Sequence, residues 1–440
     1  MNEIRVGLLG LGTIGTGVAR ILLQQQEIMA RRTGRKLVLA AVCDRKLVHE
    51  PEADLGVDLT GVQLYHDAEE MMRAPKIDLV VELIGGYEPA RSFVVEAIRH
   101  GKHVVTANKA LIAKHGEELF ALAAEQGTAI GFEAAVGGGI PCLKALREGL
   151  AANNITAIFG ILNGTCNYIL TRMENEGAPY DQVLRDAQRL GYAEADPTFD
   201  VEGVDTAHKL AILAAMAYGC TIRFDEVYTS GISRITPEDI ASARELGFRI
   251  KLLGIARPHG DAVEMRVHPT LVPLDAQIAQ VADSYNAVMI SGDFVEHTMY
   301  YGRGAGERPT ASAVVADILD IARAMPDGIA HLPPPMGFIA DQRRTLATVP
   351  MEEIESEYYL RLMVADRPGV IAAVSRILAE HDISLEAVIQ KARHATEAVP
   401  VVLRTHRIRE GNLNAAIRRI EALECVAGEA MTLRIERFGA

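Results

Sequence analysis

No apolar run in the 440-residue chain approaches the ~18 residues that a membrane-spanning helix needs, so no transmembrane segment is expected. The start of the chain also lacks the basic leader, long apolar core and cleavage site of a secretory signal. Cysteine is scarce. The five, Cys43, Cys142, Cys166, Cys220 and Cys425, are scattered and odd in number, with none of the paired spacings of a zinc site or disulfide framework, which fits a reducing cytoplasm. Basic excess is missing too: 45 Lys and Arg stand against 58 Asp and Glu, a formal charge of -13. Such a surface repels phosphate on average and excludes a general nucleic-acid binder, though not a local basic pocket. Low-complexity tracts and short repeats do not occur, and tryptophan is absent, which by itself excludes nothing. What remains is ordinary globular usage, 49% apolar and 23% charged, which rules out a mainly disordered or collagen-like chain. At this length two or three domains are expected rather than one core.

The chain opens on an apolar strand, Ile4 to Leu9, a Gly-rich turn, and a helix reading from Val18 to Met29. Buried-strand runs at Leu37–Val42, Leu79–Leu83, His103–Thr106 and Thr128–Glu133 then alternate with helical stretches, the pattern of a doubly wound parallel sheet. Residues 1–135 therefore read as a Rossmann-type α/β unit. From Val136 the pattern changes to an α+β region over 136–304. It has a strand at Ile155–Leu162, long helices to Tyr218, and strand-like runs between Lys251 and Tyr301. A helix over Pro309–Met325 is expected to return to the nucleotide unit, within a return segment 305–345, because the loop before it is phosphate-like in character. A Pro-rich break at Pro333–Pro335 and a polar stretch precede a β-α-β-β-α-β module over 356–437, a ferredoxin-like pattern. That separation suggests an add-on which catalysis does not require.

In the run Gly10-Leu11-Gly12-Thr13-Ile14-Gly15 the three glycines suit a tight turn, close approach of backbone to a pyrophosphate, and tight packing of helix on strand. The motif is weak alone, but its place between the first strand and first helix favours dinucleotide binding over a plain structural turn. The second strand ends at Asp44, farther from the glycines than the usual ~20 residues, so the intervening helix and loop must be extended. Asp44 suits a ribose 2′-hydroxyl, whereas Arg45 and Lys46 can pair a 2′-phosphate. The balance leans to NADP over NAD, with solvated loop charges as the alternative for the basic pair.

Two clusters carry chemistry. Thr106 ends a strand at the carboxyl edge of the sheet, where open α/β folds bind ligands, so Lys109 in Thr106-Ala107-Asn108-Lys109 would project toward the nicotinamide crevice; otherwise it is a surface charge. The second cluster, Gly191 to Lys209, crowds Glu194, Asp196, Asp200 and Asp205 ahead of an almost wholly apolar helix. Asp205 and Lys209 are spaced i,i+4 and share a face, either as a buried, functional pair or as an ordinary surface ion pair.

The runs Gly101–Leu111, Phe132–Pro141, Gly160–Tyr168 and Gly191–Lys209 occur in order and together resemble the homoserine dehydrogenase family; Tyr301–Gly306 extends the likeness. The resemblance is to the form without a fused aspartate kinase. It implies reduction of aspartate semialdehyde to homoserine with NAD or NADP, Lys209 giving the proton to the carbonyl oxygen and Lys109 contacting substrate and cofactor. It further implies that Asp205 orients Lys209 and binds substrate, and that Glu194 and Asp200 hold the amino group. The backbones of Gly191 and Gly306 would approach the cofactor. A structural sodium would sit on the carbonyls of Glu133, Val136, Gly138 and Ile140, a chemically apt set of oxygens, unless that stretch is only a domain-joining turn.

The stretch Tyr358–Val370, continuing to Glu386, resembles an ACT domain, with Gly369 at a strand-to-helix turn where a side chain would obstruct a ligand carboxylate. Threonine is the expected effector and a homodimer or homotetramer the expected assembly, with a ligand-free dimerisation module as the alternative. Two other readings stand beside the dehydrogenase: an aldehyde-handling enzyme working through a cysteine thioester, which needs an activated thiol, and a non-enzymatic sensor of nucleotide and amino acid.

Overall fold

Runs of Val, Ile, Leu and Ala that are buried on both faces pair side by side as parallel strands. In the computed structural model, which describes residues 3–45, 56–326, 328–390 and 398–438, these strands are β1 (Glu3–Leu9), β2 (Lys36–Cys43), β3 (Gln63–Tyr65), β4 (Leu79–Glu82), β5 (His103–Thr106) and β6 (Ile130–Gly131). Their order is β3-β2-β1-β4-β5-β6, so the winding reverses between β1 and β4 and opens a crevice at the carboxyl ends of the strands. The first helix begins at Thr13, not Val18, placing Gly15 inside its first turn, and the helical stretch breaks at Gln25 into Thr13–Gln24 and Gln26–Thr33. This second piece, closed by Gly34 in the left-handed region at φ +71°, accounts for the long spacing to Asp44. The helix Glu307–Ala324 returns to this layer and lies against the helix Thr13–Gln24, with Val314, Ile318 and Ile321 joining Val18 and Leu22 in one core. Gly17 is the contact point: a Cβ there would stand 2.8 Å from Cγ of Glu307.

A second, mixed sheet builds the rest. Its strands are β7 (Ile155–Ile161), β8 (Tyr228–Thr229), β9 (Phe248–His259), β10 (Ala262–Pro273), β11 (Tyr285–Gly292), β12 (Glu296–Arg303), β13 (Ala347–Thr348), β14 (Glu355–Val364), β15 (Leu385–Gln390), β16 (Val399–Thr405), β17 (Ile408–Arg409) and β18 (Val426–Ile435). The main path runs β12-β11-β7-β9-β10-β18-β14-β16-β15, with β8, β13 and β17 pairing at its margins. The helix Val204–Tyr218 is buried along nearly its whole length and packs on β7, β9 and β10. No described helix is long and apolar enough to cross a membrane.

The C-terminal β-α-β-β-α-β unit is not the detached add-on that its linker suggests. β18 pairs in parallel with β10, Thr270 opposite Arg434 and Leu271 opposite Ile435, so one sheet is continuous across the junction. Buried charges follow the seam: Arg266, 1% exposed, donates to Glu264 at 2.6 Å and Glu436 at 3.3 Å, while Arg257 donates to Glu436 at 2.6 Å. Arg361 and the Tyr359 hydroxyl both donate to Asp239, itself fully buried at the capping box of the helix Pro237–Glu245. A polar linker reports only the chain between two units, whereas strand pairing and desolvated ion pairs depend on surfaces far apart in sequence.

Glu436→Gln leaves two guanidinium groups, buried Arg266 and half-buried Arg257, with one carboxylate fewer. Because Glu264 remains, the expected loss is about 2 kcal/mol, below the ~3–5 of a fully orphaned buried charge. Urea unfolding of the intact chain measures it, and an unchanged midpoint would show that the seam carries no energy.

Candidate active site

The crevice between the two sheets holds a cleft of about 500 Å³. One wall is the glycine turn. Gly10 sits at φ +101°, and a Cβ there would lie 2.9 Å from the Leu83 carbonyl; on Gly15 it would lie 2.0 Å from the Gly10 oxygen. Gly12 by contrast faces open space. The helix that starts at Thr13 has no side-chain cap, so its first N–H groups, those of Thr13, Ile14 and Gly15, are available to a phosphate. Across the cleft the helix Glu307–Ala324 also starts uncapped, at Gly306 with φ +109°. These two helix ends, at Thr13 and Glu307, lie far apart in the chain and make a cradle that a dinucleotide fits. Asp44 at the end of β2 accepts the Leu11 N–H, so its carboxylate also braces the turn. Arg45 beside it is exposed, and Lys46 lies outside the described residues.

β4 and β5 are tied at their carboxyl ends by Thr106, whose hydroxyl donates to the fully buried Glu82 at 2.6 Å and accepts the Asn108 N–H at 3.0 Å. Asn108 caps the next helix through the Leu111 N–H, which sets Lys109 at its first position. The helix Val204–Tyr218 supplies Asp205 and Lys209 on one face. Lys209 Nζ donates to Asp205 Oδ2 at 2.6 Å and to the Leu162 carbonyl at 2.7 Å. Lys109 Nζ stands 3.1 Å from Asp205 Oδ1. With Asp205 only 4% and Lys209 9% exposed, this is the buried pair and not the surface one. Burial opposes the charge on Asp205, but Lys209 and Lys109, with hydrogen bonds from Lys209 and Asn163, outweigh it and hold its carboxyl well below the usual range. Asp200 moves the other way, raised by burial and by the neighbouring Asp205 charge.

Sequence reasoning assigned no role to Asn163, which organises this group. Its Oδ1 caps a helix through the Cys166 N–H, freeing the Nδ2 to donate to Asp200 at 2.7 Å and Asp205 at 2.9 Å. An Asn-Gly pair after a strand signals the cap, but nothing local signals the two aspartates. Asn286 was likewise missed: it lines the cleft, 2% exposed, with a buried Oδ1 that has no partner among the described residues. Gly191 lines the cleft at φ +76°. Glu194 is exposed and its side chain does not line the cleft; its backbone carbonyl accepts from Gln188.

The Glu133–Ile140 turn passes under the cofactor side, where Gly138 at φ +56° lies against the Gly304 carbonyl. The Glu133 carboxylate is buried and accepts the Leu143 and Lys144 N–H groups; burial and the Asp317 charge push it up to about 8. No group of three or more His, Cys, Asp or Glu is placed to hold a metal among the described residues, so a cation here would depend on carbonyl oxygens. Cys142 and Cys166 are fully buried, and burial drives both thiols far above the ordinary value, which argues against a thioester nucleophile.

Three family models match the chain: "Homoserine dehydrogenase, NAD binding domain" over residues 10–133, "Homoserine dehydrogenase" over 141–319, and "ACT domain" over 358–425. The chain is 49% identical over 439 residues to the homoserine dehydrogenase of Pseudomonas aeruginosa, covering 100% of both, and 39% identical over 440 residues to that of Bacillus subtilis, also covering 100% of both. Among solved structures it resembles a homoserine dehydrogenase from Thiobacillus denitrificans, with TM-score 0.94, 51% identity, and 100% and 99% of the two chains covered. A hyperthermophilic archaeal homoserine dehydrogenase in complex with NADPH matches at TM-score 0.62 and 27% identity, over 72% of this chain and 97% of that one.

One titration on the helix that carries Asp205 and Lys209 sets an acid limit. His208, stacked on Phe224 at 3.8 Å and hydrogen-bonded to Tyr87, has its imidazole lowered from 6.5 to about 4, by burial first and the Lys109 charge second. Between pH 6.5 and 4 the unfolded chain takes up a proton that the folded one refuses, so stability falls with pH, by roughly 3 kcal/mol at most. Denaturant titrations at pH 7 and 4.5 should show that fall, and His208→Gln should flatten it; a slope that the substitution leaves unchanged assigns it to other groups.

Proposed function

Because the chain belongs to the homoserine dehydrogenase family and is an NAD(P)-dependent oxidoreductase acting on a CH–OH group, we propose that Lys209 gives and takes the proton when aspartate semialdehyde and homoserine interconvert. The observation that carries this is the buried Lys209–Asp205–Lys109 cluster, which shares one cleft with the glycine turn and the Gly306 loop. The nicotinamide cofactor, when bound, donates or accepts the hydride. As the aldehyde is reduced, negative charge grows on its oxygen, and the ammonium of Lys209 stabilises that charge and delivers a proton to it. Asp205 holds Lys209 in place and keeps the cluster from carrying an unbalanced buried charge. Lys109 adds a second cation at the mouth of the site and contacts substrate and cofactor. Asp200, which lines the cleft, accepts from the substrate ammonium, and Glu194, whose side chain stands outside the cleft, would do so only by turning in from the adjoining loop. Asn286 offers the bound molecules one more acceptor.

A nicotinamide dinucleotide would be held by Gly10, Gly12, Thr13, Ile14 and Gly15, with Asp44 and Arg45 for its ribose, the backbones of Gly191 and Gly306, and Thr106 and Lys109 on the nicotinamide side. Exposed Arg45 favours NADP over NAD. A structural sodium on the carbonyls of Glu133, Val136, Gly138 and Ile140 would brace this turn against the Gly304 loop. We divide the chain by role into a nucleotide unit (1–135, with 305–345), a catalytic and dimerisation unit (136–304) and a regulatory unit (356–437). The family match to the last points to amino-acid control, which we assign to threonine acting on a homodimer or homotetramer. The cysteines are all free thiols, as a cytoplasmic enzyme requires.

Lys209→Ala should lower kcat by at least ~100-fold while the fluorescence-measured Kd for NADPH stays within a factor of about three; near-normal turnover would refute the role of Lys209. Threonine should inhibit the intact enzyme and inhibit Gly369→Ala less, because Gly369 caps its helix at φ +91°, a conformation that alanine resists. Equal inhibition of the two would move the effector site elsewhere.

A further inference from the structure

A second cavity, of about 480 Å³, lies on the far side of the nucleotide layer, and no residue lines both it and the catalytic cleft. Two helices run between them: in Glu307–Ala324, Thr310 near the start lines the cleft and Ile321 and Ala324 near the end line the cavity, and in Lys109–Glu125, Lys109 lines the cleft and Phe120 and Ala123 line the cavity. The other walls come from the start of β6 and the segment containing Leu332 and Pro333–Pro335. Most of this surface is apolar. Volumes of this size hold small organic ligands.

One charged group stands out in the lining. Arg147 comes from a five-residue π-helix, Ala145–Gly149, a strained form of helix that recurs at functional sites. Its side chain is 11% exposed, and its Nε is buried with no hydrogen-bond partner among the described residues. Its Nη2 reaches only Glu148, at 3.3 Å, whose own side chain is 51% exposed. Two acids of the same wall, Asp317 and Asp320, are already matched elsewhere. Asp320 pairs with Lys144 and, at 2.7 Å, with Arg323, and Asp317 pairs with Lys144 at 3.4 Å and accepts the Glu133 N–H at 2.8 Å. A sequestered guanidinium edge without an acceptor is costly, and a carboxylate matches its fork of donors. We propose that this cavity is a binding site for a small apolar carboxylate, its carboxylate on Arg147 and its hydrocarbon tail along Phe120, Ile321 and Leu332. The ligand needs no ammonium group, since Asp317 and Asp320 are matched by Lys144 and Arg323, and Glu148 stands half in solvent, 51% exposed.

Hexanoate is the probe, titrated into the intact chain by calorimetry with saturating NADPH present. The expected result is saturable one-site binding that hexan-1-ol and leucine fail to reproduce by at least tenfold. Arg147→Met should weaken hexanoate at least tenfold. Ala324→Phe, which keeps Arg147 and fills the cavity, should abolish binding and retain full turnover. Absence of saturable binding, equal affinity for hexan-1-ol or leucine, unchanged affinity in either variant, or binding only when NADPH is left out would each overturn the assignment.

Discussion

The buried carboxylate of Asp205 is the constraint around which the molecule is arranged. A lone carboxylate at 4% exposure would be neutralised by desolvation, yet this one stays charged because Lys209, Lys109 and Asn163 surround it. The partners come from different places. Lys209 is one helical turn away, Asn163 follows β7, and Lys109 begins the helix after β5. The cluster therefore joins the nucleotide layer to the second sheet, and the same contacts that make the charge tolerable put the Lys209 ammonium, our proposed proton donor, where the crevice of a doubly wound sheet receives its ligand.

The nucleotide cradle follows the same logic of distant pieces meeting. The first helix offers uncapped N–H groups at Thr13, and the helix that starts after Gly306 offers a second set. Packing between them is close enough that Gly17 tolerates no side chain, and Gly131 is pressed against Asp317 in the same way. Small residues at these points let the returning helix close the cofactor side, so cofactor binding and the junction of the two layers depend on one packing interface.

The C-terminal ACT unit is joined through backbone to the helix that carries Asp205 and Lys209. β18 hydrogen-bonds β10, β10 pairs with β9, and both strands pack on the helix that carries Asp205 and Lys209. A change in the C-terminal unit thus has a continuous route of strands and buried ion pairs to Lys209, although allosteric action requires that an effector bind two states unequally.

Local chemistry made much of this readable from residues alone. The alternation of buried strands with helices, the Gly10–Gly15 turn, and the i,i+4 spacing of Asp205 and Lys209 are short-range patterns, and the structure places them as turn chemistry and periodicity require. The start of the first helix was misplaced by five residues because apolar periodicity is silent over Thr13 to Gly17, where glycine dominates. Choices that rest on approach between distant segments were beyond reach: Asn163 bridging two aspartates, Lys109 closing on Asp205, Asn286 beneath Gly304, and β18 joining β10. Residue order alone thus determined the winding of the nucleotide sheet and the residue types in the cleft. Only the tertiary structure decided which charges are buried and paired, because desolvation and strand pairing are properties of surfaces brought together by folding, not of neighbours along the chain.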